Sequence, residues 1–411
     1  MHDMRAFSLL AILSSLHPST SSPVSSAPHS QSLDSNAHDK AYTNWRTLTG
    51  HGVNLGGWLE QESTIDTAWW STVAGNASDE WTICANLGPS CAPVFERRYA
   101  TYITRADIDT LAGAGVSILR IPTTYAAWVR VPGSQLYAGN QQAHLRRIAE
   151  YAIATHGMHV VIDIHSLPGG TNGLDIGEAV GHRGWWHNET ALEWSLRAVD
   201  ALIAFVQASP HAHRYTIEPI NEPADNPDFA AFGTPAALSE AGAAWLLKYF
   251  RAVIQRVEAV NPRIPVMLQG SFKTESYWAP HFDAGANIVF DLHHYYWQYA
   301  NSTSANLPAF LCADARASAG DGKFPTFVGE WAMETGKAND LTLRTRNLVA
   351  GLSAFAQFTR GSAYWNAKFE SNVSVAGQEG VRGVKQDYWN FEALIRHGLP
   401  EGDVQVKAYC Q

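Results

Sequence analysis

The stretch Thr216-Ile-Glu-Pro-Ile-Asn-Glu-Pro223 determines how the rest of the chain is interpreted. Its apolar first half predicts a short buried strand, and the prolines place Asn221 and Glu222 where that strand becomes a loop. A second apolar strand is predicted over 324–329, and Glu330 follows it directly. Two carboxylates at strand ends predict a general acid and a nucleophile that act on one bond. Either glutamate alone could equally be a buried ion-pair partner.

Apolar runs and helical patterns alternate along the whole chain. Strands are predicted over residues 52–58, 116–122, 159–165, 215–220, 264–270, 287–292, 324–329 and 361–365. Helices are predicted over 105–115, 143–155, 189–207, 234–260, 340–359 and 388–397, with Thr234 as an N-cap, and 59–83 is predicted to be a long loop. Eight strand-then-helix units predict an α/β fold, a single (β/α)8 TIM barrel with elaborated βα loops over residues 41–411.

The composition limits the partners of this protein. The net charge is −9 and Lys and Arg form no basic run, which argues against nucleic acid and anionic membranes as partners. After the N-terminus, no stretch reaches the roughly 18 apolar residues that a membrane helix needs. We expect no membrane partner and a monomer.

Several features predict export from the cell. Residues 1–30 combine Arg5, a short apolar stretch and a Ser/Pro/Ala-rich segment, as in a secretory leader. The four cysteines lack the spacing of a zinc site, so two disulfides are expected. Of three possible connectivities we favour Cys84–Cys91 and Cys312–Cys410. Glycosylation sequons occur at Asn76, Asn188, Asn301 and Asn372.

Further polar side chains stand at the predicted strand ends: Arg120, His165, His293, Tyr295 and Trp365. An isolated His or Arg at such a position is usually structural. A barrel brings all strand ends to one rim, so this set together predicts an active site.

These motifs resemble glycoside hydrolase family 5, near its fungal exo-β-1,3-glucanase and rutinosidase branches. The resemblance rests on Asn221-Glu-Pro223 and Gly329-Glu-Trp331, and on the stretches 52–58, 79–84, 119–122, 163–165, 168–173 and 291–295. It implies a retaining β-glycosidase whose partner is a carbohydrate or glycoside, with no metal and no organic cofactor.

The resemblance also implies a role for each site residue. Glu222 would be the acid/base and Glu330 the nucleophile, with carboxyls about 5–5.5 Å apart. Asn221 would hold the sugar 2-hydroxyl, His165 would support the floor of the sugar site, Trp365 would form the platform under the glucose, and Glu62 would bind its far side. Arg120 would help to keep Glu330 ionised, Tyr295 would orient it, and His293 would lie beside Glu222.

Departures from the glucanase pattern bear on the substrate. Leu174 and Ile176 stand where glucanases have a clamping phenylalanine and an asparagine. A weaker clamp and a lost polar contact suggest a larger glycone, so we hypothesise a rutinosidase-type diglycosidase that releases rutinose from flavonoid glycosides. The alternatives are neutral drift in an exo-β-1,3-glucosidase that acts on fungal β-glucan, and an inactive glycan-binding cell-wall protein.

Overall fold

The computed structural model describes residues 41–398 and 409–410. The strands are β1 Gly50–Asn54, β2 Ile118–Thr124, β3 His159–Ser166, β4 Tyr215–Glu218, β5 Val266–Gln269, β6 Ile288–Tyr295, β7 Thr326–Ala332 and β8 Gly361–Tyr364. Each strand pairs in parallel with the next, and β8 pairs with β1 to close the barrel. This architecture confirms the predicted (β/α)8 barrel.

The helices of the described residues lie between and around these strands. They are α1 Thr67–Val73, α2 Glu80–Leu87, α3 Cys91–Thr101, α4 Arg105–Gly113, α5 Gln141–His156, α6 Glu189–Gln207, α7 Glu240–Val260, α8 Glu275–Trp278, α9 Leu307–Ser318, α10 Arg344–Phe358, α11 Gln386–Trp389 and α12 Phe391–Arg396. The predicted helix over 189–207 is confirmed, because α6 has the same bounds.

The prediction of one long loop over 59–83 was wrong, because α1 and the start of α2 lie within it. Each begins at an aspartate whose side chain accepts a hydrogen bond from a backbone N–H: Asp66 from Trp69 at 2.9 Å and Asp79 from Thr82 at 2.7 Å. The short aromatic and polar sequences lack a clear apolar period, so the caps were the only local signal.

Several predicted boundaries also need correction. The first strand ends at Asn54 rather than at residue 58, and residues 388–397 form parts of two helices rather than one. The α7 N-cap is Ser239, whose Oγ accepts from the Gly242 backbone N–H at 3.0 Å. Thr234 instead caps a single 3₁₀ turn, because Leu238 returns to an extended conformation.

The two ends of the barrel differ in chemistry. Near the strand starts, Trp45 packs with a ring of buried apolar side chains: Ile118, Val161, Met267, Val289, Phe327 and Ala363. The Trp45 indole N–H also donates to Thr216 Oγ1 at 2.9 Å. This apolar plug closes one end, so polar groups concentrate at the carboxyl ends of the strands.

Two disulfides have the expected pairing. Cys84–Cys91 joins α2 to α3, and Cys312–Cys410 joins α9 to the chain near its end. The predicted secretory leader, residues 1–30, lies outside the described residues. No helix in the described ranges has the length and apolar character needed to cross a membrane.

Candidate active site

A cleft of about 520 Å³ opens at the carboxyl ends of the strands, and both predicted catalytic glutamates line it. One carboxylate oxygen of Glu222, one of Glu330 and a ring nitrogen of His293 all lie within 4.8 Å of one another. The two carboxyls therefore face a shared space of the size that a retaining glycosidase uses, where about 5–5.5 Å separates the pair.

Glu330 lies in the last part of β7 and accepts two close hydrogen bonds. Arg120 Nη1 donates to its Oε1 at 2.7 Å, and the Tyr295 hydroxyl donates to its Oε2 at 2.7 Å. His293 Nδ1 lies 3.4 Å from the same Oε2. Because β6 and β7 shift register at this point, His293 lies directly opposite Glu330.

Burial decides the direction of the Glu330 pKa. Burial raises the pKa of Glu330 above its ordinary value, while the His293 and Arg120 charges act to lower it. Arg120 therefore opposes the shift, as expected, but does not reverse it. The side chain remains an acceptor for two close donors, which favours its ionised form.

Glu222 lies at the turn that follows β4, in a left-handed backbone conformation with φ of 40°. Asn172 Nδ2 donates to the Glu222 carbonyl at 3.1 Å and supports this turn. Glu222 Oε1 lies 2.7 Å from His293 Nδ1, while His293 Nε2 lies 2.9 Å from Asp291 Oδ2. Burial lowers the pKa of His293, but the charges of Glu330 and Asp291 raise it well above its ordinary value. His293 is therefore a histidinium that donates to both Glu222 and Asp291.

Beneath the cleft, Arg120 is fully buried among carboxylates that the sequence analysis did not identify. Its Nε donates to Glu218 at 2.7 Å, and its Nη2 lies 3.0 Å from Asp163. Asp291 lies 3.7 Å from Nε. Burial raises the pKa of Glu218 well above its ordinary value, despite Arg120. The sequence contained a signal for these buried acids, because each of them interrupts an otherwise apolar strand.

The remaining predicted residues form the other side of the cleft. His165 Nδ1 lies 2.6 Å from Asp163 Oδ2, and Asn221 Nδ2 lies 3.2 Å from His165 Nε2. The His165 ring stacks on Trp365 at 5.8 Å between centroids. Glu62 and Trp365 line the cleft. We call this side, with Glu62, Asp175, His165 and Trp365, the glycone end.

The opposite side of the cleft carries rings that the sequence analysis also missed. We call Phe229, Phe232, Phe272, Trp297 and Tyr299 the aromatic wall. Phe229 is 62% exposed, and Trp297 and Tyr299 are each 42% exposed. Phe229 and Phe232 lie parallel, with centroids 6.2 Å apart, and Phe272 meets Phe232 edge-on at 5.0 Å. The rings come from three separate loops, so no local pattern could predict them together.

Acid and histidine clusters near the cleft are compact enough to surround an ion, but their imidazoles are already engaged. His293 has both ring nitrogens in hydrogen-bond range of Glu222 and Asp291. His165 has both in range of Asp163 and Asn221. The geometry therefore fits acid–base and nucleophilic chemistry better than metal ligation.

Comparisons with known proteins identify the family and its relatives. The family described as Cellulase (glycosyl hydrolase family 5) matches residues 80–371. A probable glucan 1,3-beta-glucosidase A of Aspergillus niger is 31% identical over 86% of this chain and 84% of its own length. Glucan 1,3-beta-glucosidase 1 of Schizosaccharomyces pombe is 26% identical over 87% of this chain and 90% of its own length.

Two solved structures are more similar. A rutinosidase from Aspergillus niger is 57% identical, with a TM-score of 0.85, over 87% of this chain and 99% of that one. A protein named AoRut is 60% identical, with a TM-score of 0.86, over 88% of this chain and 99% of that one.

Proposed function

Because the chain belongs to glycosyl hydrolase family 5, we propose that it is a secreted retaining β-glycosidase of the rutinosidase type. It removes rutinose, a glucose that carries a 6-linked rhamnose, as one unit from flavonoid glycosides. Identity of 57% to a rutinosidase, against 31% to a glucan glucosidase, supports this choice. The alternative of an inactive glycan-binding protein is not favoured, because binding alone does not require two facing carboxyls.

In the first chemical step, Glu330 attacks the anomeric carbon and Glu222 protonates the glycosidic oxygen. The bond to the aglycone breaks as the bond between the sugar and Glu330 forms. Arg120 and Tyr295 hold the attacking carboxylate in place, each at 2.7 Å. His293 donates to Glu222 Oε1 at 2.7 Å and leaves the other oxygen to carry the transferable proton.

In the second step, Glu222 acts as a base. Once Glu330 is esterified its charge is gone, so the Glu222 carboxylate can take a proton from water. The water oxygen attacks the anomeric carbon, the ester bond breaks, and rutinose leaves with its β configuration retained. Asn221 and Trp365 hold the 2-hydroxyl and the apolar face of the glucose throughout.

The aromatic wall is the observation that supports a flavonoid as the leaving group. Exposed rings cost free energy in water unless a ligand covers them, and flat aromatic groups pair with such rings in offset or edge-on geometry. Phe229 and Phe232 lie parallel in the loop after β4, and the closed barrel places that loop across from Trp365, which follows β8. A flavonoid leaving group fits this surface better than another glucose does.

A substrate panel with product analysis tests the function. Purified protein is given rutin, hesperidin, laminarin and an aryl β-glucoside, and the released sugars are separated by chromatography. We expect rutinose from rutin and hesperidin. Efficient release of glucose from laminarin, with no rutinose from either flavonoid, would reject the rutinosidase type in favour of an exo-β-1,3-glucosidase. The Glu330→Ala variant serves as the folded, inactive control.

Secretion and glycosylation belong to the same proposal. The two disulfides suit an oxidising compartment, and all four sequon asparagines, Asn76, Asn188, Asn301 and Asn372, are exposed. We expect the protein in the culture medium of a fungal host, as a monomer whose mass falls after enzymatic removal of N-glycans. Size-exclusion chromatography and mass spectrometry measure both.

A further inference from the structure

Two glutamates flank Gln61 in the loop that follows β1, and they have different surroundings. Gln61 is fixed, because its backbone N–H donates to Glu80 at 2.9 Å and its side-chain amide donates to the Trp58 carbonyl at 2.8 Å. Glu62 reaches the cleft and lines its glycone end. Glu60 lies behind this lining and is only 3% exposed.

Glu60 is a buried acid. Among the residues that the structure describes, neither of its carboxyl oxygens, nor Oε1 of Glu62, has a hydrogen-bond partner. One oxygen of Glu60, one of Glu62 and one nitrogen of His165 lie within 4.8 Å of one another. Within residues 41–398 and 409–410, no Lys or Arg forms a salt bridge with Glu60 or Glu62. A buried, unpaired carboxylate is costly, so a proton must reside on this pair.

The surroundings determine which glutamate keeps the proton. Burial, followed by the charges of neighbouring acids, raises the pKa of both Glu60 and Glu62 well above their ordinary values, but the Arg120 charge opposes the shift at Glu62. Glu62 is the less buried of the two, and it alone borders the open cleft. The proton therefore resides on Glu60, and Glu62 is the acceptor.

We propose that Glu60 is a positioning residue: as a neutral carboxylic acid it supplies the hydrogen-bond donor that Glu62 lacks, and so fixes Glu62 against the sugar. The proposal rests on the proposed role of Glu62 as a glycone contact. The donor acts directly or through one water molecule, since the oxygens lie within 4.8 Å. An anchored Glu62 pays less conformational entropy when the sugar binds.

A cation between Glu60 and Glu62 is the competing explanation for two facing acids. It is disfavoured because His165, the third member of the cluster, has both ring nitrogens in range of Asp163 and Asn221. The two explanations predict opposite behaviour for a glutamine at position 60. A neutral amide keeps a hydrogen-bond donor, whereas it removes the charge that would hold a cation.

The test uses four variants of the full chain: Glu60→Gln, Glu60→Leu, Glu62→Ala and the double variant Glu60→Leu/Glu62→Ala. Steady-state kcat and KM are measured with whichever glycoside the wild type hydrolyses fastest. Glu275→Leu is the matched control, because Glu275 is fully buried and accepts from the backbone N–H groups of Asp321 and Phe324, which lie outside the cleft. Thermal unfolding reports the folding of each variant.

We expect Glu60→Leu to lower kcat/KM about tenfold to a hundredfold, mainly through KM, because a hydrogen bond to a charged group is lost. Glu60→Gln should stay within about threefold of the wild type, and the double variant should be no worse than Glu62→Ala alone. Glu275→Leu should unfold at a lower temperature with KM unchanged.

Three results would overturn the proposal. One is a Glu60→Leu variant with the KM of the wild type. Another is a Glu60→Gln variant as impaired as Glu60→Leu, which would indicate a charged or cation-bound Glu60. The third is a double variant in which the two losses multiply. If laminarin proves to be the best substrate, the rutinosidase assignment fails, yet the same variants still test Glu60, because both substrates place a glucose in the same site.

Discussion

Replacing Tyr295 with phenylalanine removes one atom from the hydrogen-bond network of Glu330, the proposed nucleophile, and leaves the rest of the side chain in place. The hydroxyl donates to Glu330 Oε2 at 2.7 Å. The ring stacks on Trp389 with centroids 5.3 Å apart, and a phenylalanine keeps that contact. The change therefore isolates a single hydrogen bond to the Glu330 carboxylate.

The size of the effect follows from the charge on the acceptor. A hydrogen bond to an ionised group contributes about 1.5–3 kcal/mol, which corresponds to a loss of roughly 10- to 150-fold in kcat/KM. The same bond favours the ionised form of Glu330, so its removal raises the pKa of Glu330 further above the value that burial already imposes.

The pH profile reports the sign of this shift. Glu330 must be ionised to attack, so kcat/KM falls as pH drops through the Glu330 pKa. In Tyr295→Phe the acid limb of the profile should therefore lie at higher pH than in the wild type. An unmoved acid limb together with a loss below about threefold would refute the assignment of Tyr295 as the residue that holds the nucleophile.

A matched control is available elsewhere in the chain. The Tyr137 hydroxyl donates to Glu96 Oε1 at 2.8 Å, and its ring stacks on Tyr99 at 6.3 Å, so it repeats the same pair of contacts outside the cleft. Tyr137→Phe should keep both the acid limb and kcat/KM of the wild type. A shift in that variant as well would mean that the effect comes from general loosening of the fold.

The remaining predictions concern the leaving group, the disulfide and the product. Phe232→Ala should raise KM for rutin about tenfold, since ring contacts contribute about 0.5–1.5 kcal/mol each, and leave KM for an alkyl rutinoside unchanged. Paired Cys312→Ser and Cys410→Ser changes open a ring spanning 98 residues, and calorimetry should find a loss of about 4–5 kcal/mol. Proton NMR of early product should detect the β anomer first; an α anomer would exclude Glu330 as nucleophile.

The barrel was predictable because its signals are local. Each strand is a short apolar run closed by a turn residue, and the alternation with helices is sufficient to select a parallel barrel. Asn221-Glu222 and Glu330 could be identified for the same reason, since each lies near the carboxyl end of its own strand. That they share a cleft follows from the closure of the barrel, which brings all carboxyl strand ends together.

Features that combine residues from distant loops could not be predicted from the sequence in the same way. Phe229, Phe272 and Trp297 follow three different strands and become one surface only through the curvature of the barrel. Glu60 illustrates a second limit. In the sequence it is one of several acids in a polar loop, and only the packing of Gln61 against Trp58 and Glu80 turns it away from solvent.

The charge balance beneath the cleft explains why these carboxyls can share one small volume. Two cations, Arg120 and protonated His293, face five carboxyls: Glu222, Glu330, Glu218, Asp163 and Asp291. If all five were ionised, the excess negative charge would be buried without compensation, at a cost of several kcal/mol per ion. A proton on Glu218, whose pKa burial raises well above its ordinary value, reduces that excess and still leaves Glu330 charged. The site therefore reaches its reactive state by distributing protons among its own acids, and Arg120 must be an arginine because lysine could not contact Glu218, Asn221 and Glu330 at once.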